Sequence, residues 1–217
     1  MATQSTEEYL EAIYKLGGER EPLAISALAE RLSVSSPSVS EMARKLAEQG
    51  LASYEPYKGV TLTAEGQARA LAVIRRHRLW ERFLTDTLGF SWDQVHDEAC
   101  RLEHVTSPLV EERLAEFLEA PQTCPHGHPM PTAQGKVTVE AARPLSALEP
   151  GQRGVVLWVP EEKVEMLQYL TALGLKPQAT VQVEAVAPFQ GPLTVRIGEA
   201  WHPLGWEVAS QIMVRLL

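Results

Sequence analysis

The sequence predicts an α+β protein with an N-terminal winged helix-turn-helix, a helical dimerisation domain and a C-terminal SH3-like β-barrel. Two short helical patterns joined by a tight turn are followed directly by a hairpin pattern, and short strand patterns fill the last third of the chain. Apolar residues thus change from helical spacing to strand spacing along the chain. We expect domains at 1–72, 73–140 and 141–217.

Composition indicates a globular protein. The 217 residues are 45% hydrophobic and 22% charged, which are ordinary values for a soluble chain. No apolar run approaches the ~20 residues needed to cross a bilayer, so we expect no membrane partner. The N-terminus lacks a secretory signal, and two cysteines do not make a disulfide framework, so a reducing cytoplasm is expected.

The net charge of −8 is unevenly distributed, because residues 1–79 are neutral and the whole deficit lies after them. An acidic chain argues against tight, constitutive binding to DNA phosphates. It does not exclude a DNA-binding protein with local basic groups, or one that needs bound cations.

The first fifty residues predict three helices. We expect Thr6 to cap the first, with Glu8 as an acid near its start that needs no further role. Ser26 is expected to cap the second helix and Ser36 the third, after a tight turn at residues 33–35. Two helices joined in this way are typical of a helix-turn-helix.

The third helix shows small polar residues at its N-terminal end, opposite its apolar positions, and can offer hydroxyls to phosphates and base edges. Strand patterns on both sides of residues 56–59 complete a winged helix, with a lysine at the wing tip. The candidate DNA-contacting residues are Ser35, Pro37, Ser38, Ser40, Glu41, Arg44 and Lys58. The alternative is a helical packing module that does not bind DNA.

Metal-ligand side chains are concentrated between residues 77 and 104. They are His77, Glu81, His96, Cys100, Glu103 and His104. The last four recur at i, i+4, i+7 and i+8, which puts them on one helix face. Imidazole, thiolate and carboxylate together suit a divalent transition metal. The alternative for each residue is a solvated polar side chain or, for the cysteine, apolar filler.

Residues 119–150 are rich in proline and predict a linker. The linker contains Cys124 and His126, which are ligand-like or simply turn residues, and His128, which we expect to be structural. Before it, an apolar stripe after Pro108 is expected to pack internally or to form a C2 dimer interface. After it, about five short strands and one helix, Lys163 to Leu173, predict a small SH3-like barrel.

Six motifs carry a resemblance to a known family. They are EEYLEAIYKL, VSSPSVSEMARKLAEQGL, GVTLTAEGQ, RRHRLWERFL, VHDEACRLEHVTS and CPHGHPMP. With these motifs the chain resembles the DtxR/MntR family of metal-dependent transcriptional repressors over its full length. The C-terminal domain, FeoA-like in that family, is matched in length and general pattern.

The resemblance implies a homodimeric repressor that binds palindromic promoter DNA when activated by metal, controls metal uptake genes and holds two ions per subunit. One implied site consists of Glu8, Cys100, Glu103 and His104, and the other of His77, Glu81 and His96. Some relatives with the same CPHG loop take ligands from it, which implies Cys124 and His126 here. Glu161 is the candidate for an additional acid from the barrel.

Two positions depart from the family patterns. Iron-responsive members have a methionine where Glu8 stands, and manganese-responsive members have an acid where Cys100 stands. Because a carboxylate is a harder ligand than a thioether, we expect Mn²⁺, with Fe²⁺ as the second candidate. Glu41 in the third helix can accept from a cytosine amino group but repels phosphate, so a different operator preference is expected.

Two other functions remain open. His77, Glu81 and His96 could hold a catalytic Zn²⁺ with an open position, but no general base stands out and HExxH spacing is absent, so we expect no enzyme. A winged-helix regulator that responds to an organic ligand would leave the histidines and cysteines structural.

Overall fold

The computed structural model describes residues 3–160 and 163–217, so the predicted ligand Glu161 lies outside the described residues. The chain divides into two compact units. The first runs to residue 77 and adds residues 103–106 and 131–136, and the second holds residues 78–102, 107–130 and 137–217. The domain boundaries expected after residues 72 and 140 stay predictions.

The first unit is a winged helix. Its elements are α1 Gln4–Lys15, α2 Ile25–Leu32, α3 Ser36–Glu48, β1 Ala52–Glu55, β2 Gly59–Leu62 and the first part of α4 Ala64–Asp86. Strands β1 and β2 pair antiparallel. Val39, Ala43 and Leu46 give α3 one buried face, which packs with apolar side chains of α1 and α2. The predicted order of helix, helix and hairpin is confirmed.

The wing is held to the chain segment that precedes α2. Leu23 N donates to Val60 O at 2.9 Å, and Val60 N donates to Leu23 O at 3.0 Å. Gly59 has a φ of +121°, and a Cβ there would lie 2.3 Å from Leu23 O. Glycine is therefore required for this close approach.

Three predicted helix caps are wrong by one to three residues. The N-caps are Thr3, Ala24 and Ser35 instead of Thr6, Ser26 and Ser36. Thr3 Oγ1 accepts from Thr6 N, and Ser35 Oγ accepts from Ser38 N, each at 3.3 Å. At α1 and α3 several neighbouring hydroxyls can cap equally well, so sequence alone does not distinguish them, whereas Ala24 makes no side-chain cap hydrogen bond.

The second unit contains the rest of α4, most of α5 Val95–Glu103, and α6 Pro108–Phe117. Residues 104–107 separate the last two helices, and Ser107 caps α6 by accepting from Val110 N at 3.3 Å. Leu114 on α6 packs with Leu79 and Met130. Among the described residues, no helix combines the length and apolar character needed to span a bilayer.

The rest of the second unit is an antiparallel sheet in the order β3-β8-β4-β5-β6-β7. The elements are β3 Arg143–Pro144, a 3-10 turn Leu145–Ala147, β4 Arg153–Trp158, α7 Val164–Leu173, β5 Thr180–Val186, β6 Leu193–Ile197, β7 Ala200–Leu204, α8 Trp206–Gln211 and β8 Met213–Leu216. The sequence did not predict β3, β7 or α8. Both missed strands lie at sheet edges and contain a proline, which lacks the N–H of a regular strand residue.

Candidate metal centres and DNA-binding surface

The first cluster of ligand-type side chains lies in the first unit and is centred on the buried carboxylate of Glu103. His77 Nδ1 donates to Glu103 Oε2 at 2.7 Å, and His104 Nε2 lies 3.1 Å from Glu103 Oε1. The other ring nitrogen of His104 is 2.7 Å from Glu7 Oε2. Glu8 stands further out, with Oε1 4.0 Å from His104 Nε2. The cluster therefore joins α1 to α4 and the end of α5.

Arg76 holds two parts of this cluster. Its Nε donates to the backbone oxygen of Glu103 at 2.8 Å, and its Nη2 donates to Glu7 Oε1 at 3.0 Å. Burial raises the pKa of Glu103, although the hydrogen bond and charge of His77 act in the opposite direction. A divalent cation would stabilise the ionised carboxylate here, because an adjacent positive charge favours the charged form.

Sequence reasoning missed Glu7. It named Glu8 as the ligand on α1, but the side chain of Glu7 is 20% exposed and that of Glu8 is 44% exposed. Glu8 accepts a hydrogen bond from Gln4 at 2.9 Å. Both acids lie in the first turns of one helix, so no spacing rule separates them. Only the rotation of α1 decides which carboxylate faces His104.

The second cluster lies in the second unit and consists of Glu81, Cys124 and His126, all buried, with ligand atoms within 4.8 Å of one another. His126 Nδ1 is 3.3 Å from Glu81 Oε1 and 3.9 Å from Cys124 Sγ. His96 Nδ1 lies 3.8 Å from the same Glu81 oxygen. Cys100 Sγ lies 3.8 Å from His96 Nε2.

The second cluster favours positive charge. Burial by itself lowers the pKa of His126, but Cys124 and Glu81 outweigh it and raise this pKa to about 10. The imidazole therefore favours its protonated form when no metal is bound, and metal binding would release that proton. Carboxylate, imidazole and thiolate form a suitable donor set for a divalent transition metal. The residues present therefore fit the implied ion.

The two predicted ligand sets divide differently between the units. Glu8, His77, Glu103 and His104 belong to the first unit, and Glu81, His96, Cys100, Cys124 and His126 belong to the second. Cys100 was predicted with Glu103, and in the second unit it lies beside His96. His128 donates to Val159 O at 2.9 Å, a contact within the folded loop. The ligand assignments stay predictions.

The candidate DNA-binding surface is formed by α3 and the wing, where all seven predicted residues except the partly buried Ser40 are exposed. Glu41 pairs with Lys45 at 2.9 Å, and this hydrogen bond lowers the pKa of Glu41. Lys58 pairs with Glu55 at 2.6 Å, which raises the pKa of Lys58. The Lys45 and Lys58 side chains are 54% and 73% exposed, and such surface pairs are weak enough to exchange for phosphate.

Tyr57 on the wing was also missed by sequence reasoning. It is fully exposed, with a φ of +67° that a tyrosine rarely adopts. With Ser26, Ser40 and Arg44 it lines a groove of about 470 Å³ between α2, α3 and the wing. Its place between Pro56 and Lys58 in a predicted turn is the only sequence signal that could have identified it.

Together, the winged helix and the two ligand clusters define a DNA-binding protein with side chains suited to metal. Family models agree with this class. Residues 1–60 match the N-terminal DNA-binding domain of the iron-dependent repressors, and residues 63–132 match their metal-binding and dimerisation domain. Residues 143–216 match the FeoA domain, which agrees with the predicted SH3-like fold.

Relatives extend the match to the whole chain. The iron-dependent repressor IdeR of Mycobacterium leprae (strain TN) is 36% identical, with 97% of this chain and 96% of that protein covered. The diphtheria toxin repressor of Corynebacterium jeikeium (strain K411) is 35% identical, with 84% of this chain and 72% of that protein covered. The solved structure of a manganese-dependent transcriptional repressor in complex with manganese has a TM-score of 0.90 at 39% identity. The match covers 98% of this chain and 100% of that one. The chain therefore belongs to the DtxR/MntR family of metal-dependent transcriptional repressors, a family of regulators and not of enzymes.

Proposed function

We propose that this protein is a manganese-responsive repressor, with Fe²⁺ as the second candidate, that binds palindromic promoter DNA as a metal-activated homodimer and controls metal uptake genes. The observation that carries the proposal is the linked chain of Glu7, His104, Glu103 and His77. This series of side-chain contacts connects α1 of the winged helix to residues that follow it by nearly a hundred positions.

Metal would act on DNA binding through α1. An ion held by His77, Glu103 and His104 together with an acid of α1 stabilises one position of that helix. Since α1 packs with α2 and α3, fixing it selects one arrangement of the DNA-binding surface. Such coupling requires only that the ion favour one arrangement over another. The ion also offsets acidic charge in a chain of net charge −8.

The donor sets of the two clusters support manganese at the first. Within the first unit, Glu103 lies beside the imidazoles of His77 and His104, and carboxylates of α1 lie beside His104; oxygen-rich sets suit Mn²⁺. The second cluster adds the thiolate of Cys124, which suits Fe²⁺, Co²⁺ or Zn²⁺ better. We propose one ion in each cluster, hence two per subunit. Cys100 and Glu161 stay predicted ligands.

A homodimer is supported by α6. Leu109, Val110 and Phe117 leave a row of apolar surface, with 63%, 44% and 62% of each residue exposed. Apolar patches of this kind commonly mark protein interfaces. Two copies related by a two-fold axis would present two winged helices to the two half-sites of a palindrome.

The proposed function predicts that DNA binding follows metal. Fluorescence anisotropy with a labelled palindromic promoter duplex should show tight binding with Mn²⁺ or anaerobic Fe²⁺, and its loss after a chelator is added. Glu8→Met should weaken the response to Mn²⁺ relative to Fe²⁺ and Co²⁺, because a thioether is a softer ligand than a carboxylate.

Glu65→Met is the matched control, since Glu65 is an exposed acid on α4 whose partner is Arg69. This variant should keep the wild-type order of response to Mn²⁺, Fe²⁺ and Co²⁺. Binding that a chelator does not change would contradict the metal-dependent function and favour an organic ligand. An unchanged ranking in Glu8→Met would remove Glu8 from the site, and Glu7→Gln would then test its neighbour.

A second expected result concerns the wing. Lys58→Ala should weaken DNA binding about equally for all sequences and reduce the slope of log affinity against log salt by about 1, as expected for one lost phosphate contact. The reason is that Lys58 is exposed at the wing and its pair with Glu55 is solvated. Anisotropy titrations from low to high salt measure the slope.

The control for Lys58 is Lys136→Ala, which removes an exposed lysine outside the winged helix and should leave the slope unchanged. A wild-type slope in Lys58→Ala would show that the wing lysine does not contact phosphate.

A further inference from the structure

Trp92 contacts both the candidate ligand His126 and helix α7. Its backbone oxygen accepts a hydrogen bond from His126 Nε2 at 2.7 Å. Its ring stacks on the imidazole, with centroids 5.7 Å apart and planes 20° apart. Its indole Nε1 donates to Thr171 Oγ1 on α7 at 2.7 Å. One residue therefore connects a buried ligand to the helix that packs on the sheet.

The segment that carries this carbonyl is anchored to the sheet half of the unit at further points. Asp93 Oδ2 accepts from Gln168 Nε2 at 3.0 Å. Lys176 Nζ lies 5.9 Å from the centre of the Trp92 ring, a cation–π distance. Trp92 is itself buried in the core that contains Leu167 and Leu170 of α7. The position of its carbonyl is thus set by α7.

Thr171 is oriented to receive the indole. Its hydroxyl donates to Leu167 O at 2.8 Å, so its lone pairs are left to accept from Trp92. A valine would keep the shape of this side chain and remove the acceptor, while a serine would keep the hydroxyl. The site therefore offers a pair of substitutions that separate hydrogen bonding from packing.

The contact between Trp92 and His126 decides which ring nitrogen can bind metal. Because Nε2–H donates to the carbonyl, Nδ1 faces Glu81 and Cys124, at 3.3 Å and 3.9 Å. A hydrogen bond at one imidazole nitrogen fixes the tautomer and the ring orientation for ligation through the other.

We propose that Trp92 and Thr171 are positioning residues for the metal ligand His126, so that helix α7 adjusts the affinity of the second metal site. This inference rests on the proposed function, because it assumes that Glu81, Cys124 and His126 bind an ion. Neither residue contacts the ion itself. The FeoA-like half thereby takes part in metal binding without supplying a ligand from α7.

The test is a Co²⁺ titration of the full-length protein, which follows the near-ultraviolet thiolate-to-cobalt absorption band. Thr171→Val should weaken Co²⁺ binding about tenfold, at the low end of the effect of outer positioning groups, and change the shape of the band. Thr171→Ser should restore wild-type affinity and band. Thr194→Val, on the exposed face of β6, should behave as wild type, and thermal melts without metal check that each variant folds.

Gln168→Ala, an exposed substitution that removes the Asp93 contact, keeps the test valid if Thr171→Val does not fold, and should weaken binding by less than tenfold. Unchanged affinity in Gln168→Ala and in folded Thr171→Val would overturn the inference. Cys124→Ser distinguishes failure of the positioning role from failure of the proposed second metal site. If it loses the band while the Thr171 and Gln168 variants bind as wild type, only the positioning role is wrong. If it keeps the band, the proposed second site is wrong and the inference falls with it.

Discussion

Glu103→Gln is expected to raise the metal concentration needed for half-maximal DNA binding by roughly 100-fold or more. Glutamine keeps the shape of the side chain but removes the buried negative charge between His77 and His104. Loss of one partner from a buried charged cluster costs on the order of 3 kcal/mol, and each ~1.4 kcal/mol is a factor of ten in affinity. Anisotropy titrations with Mn²⁺ at a fixed DNA concentration give the midpoint.

Glu98→Gln on the same helix is the matched control, since the Glu98 side chain is 42% exposed and pairs with Arg101 at 2.7 Å. It should leave the midpoint within experimental error of wild type. If Glu103→Gln also gave a wild-type midpoint while folding normally, the cluster in the first unit could not be the regulatory metal site.

Gly127→Ala is expected to destabilise the second unit by about 3–5 kcal/mol and to abolish metal binding by Cys124 and His126. Gly127 has a φ of +90°, and a Cβ there would lie 1.9 Å from Leu157 O. The loop must therefore move away from β4, and the two ligands that precede Gly127 in this loop move with it. Chemical denaturation measures the loss of stability, and the thiolate-to-cobalt band measures the loss of the site.

Gly198→Ala separates the two causes, because Gly198 has a φ of +58° with nothing within 4 Å of the added Cβ. It should cost only the backbone penalty, about 1–2 kcal/mol. Equal losses in the two variants would mean that the close approach to Leu157 has no energetic consequence.

Local patterns were sufficient for most of the fold. The helix-turn-helix and wing follow from apolar spacing and turn residues within sixty positions. Strand β7 was missed because Pro203 breaks its pattern, and its pairing with Thr194 on β6 is a tertiary fact. The N-caps of α1 and α3 were misplaced because adjacent hydroxyls compete, whereas α2 begins at Ala24 without a side-chain cap.

The type of candidate site could be predicted from the sequence, whereas the full set of residues that form it could not. Helical spacing predicted that His96, Cys100 and His104 share one helix face. Periodicity within one element does not indicate which residues of separate elements meet. Glu81 and Cys124 are far apart in sequence and meet only in the fold; the family likeness named each as a ligand but did not place them in one site. Glu7 was missed because it is adjacent to Glu8 on α1. Packing sets the rotation of this helix, and the rotation decides which of the two carboxylates points inward.

The first compact unit is discontinuous in sequence, and this has a consequence for protein synthesis. Chains emerge from the ribosome N-terminus first, at about 5–20 residues per second. The helix-turn-helix is complete by residue 50, whereas Glu103 and His104 follow much later, and Arg75 donates to Pro131 O at 2.6 Å. A nascent chain that already has its DNA-reading helices therefore lacks the residues that would make it respond to metal. On the proposed function, the response to metal becomes available only after His104 has been synthesised.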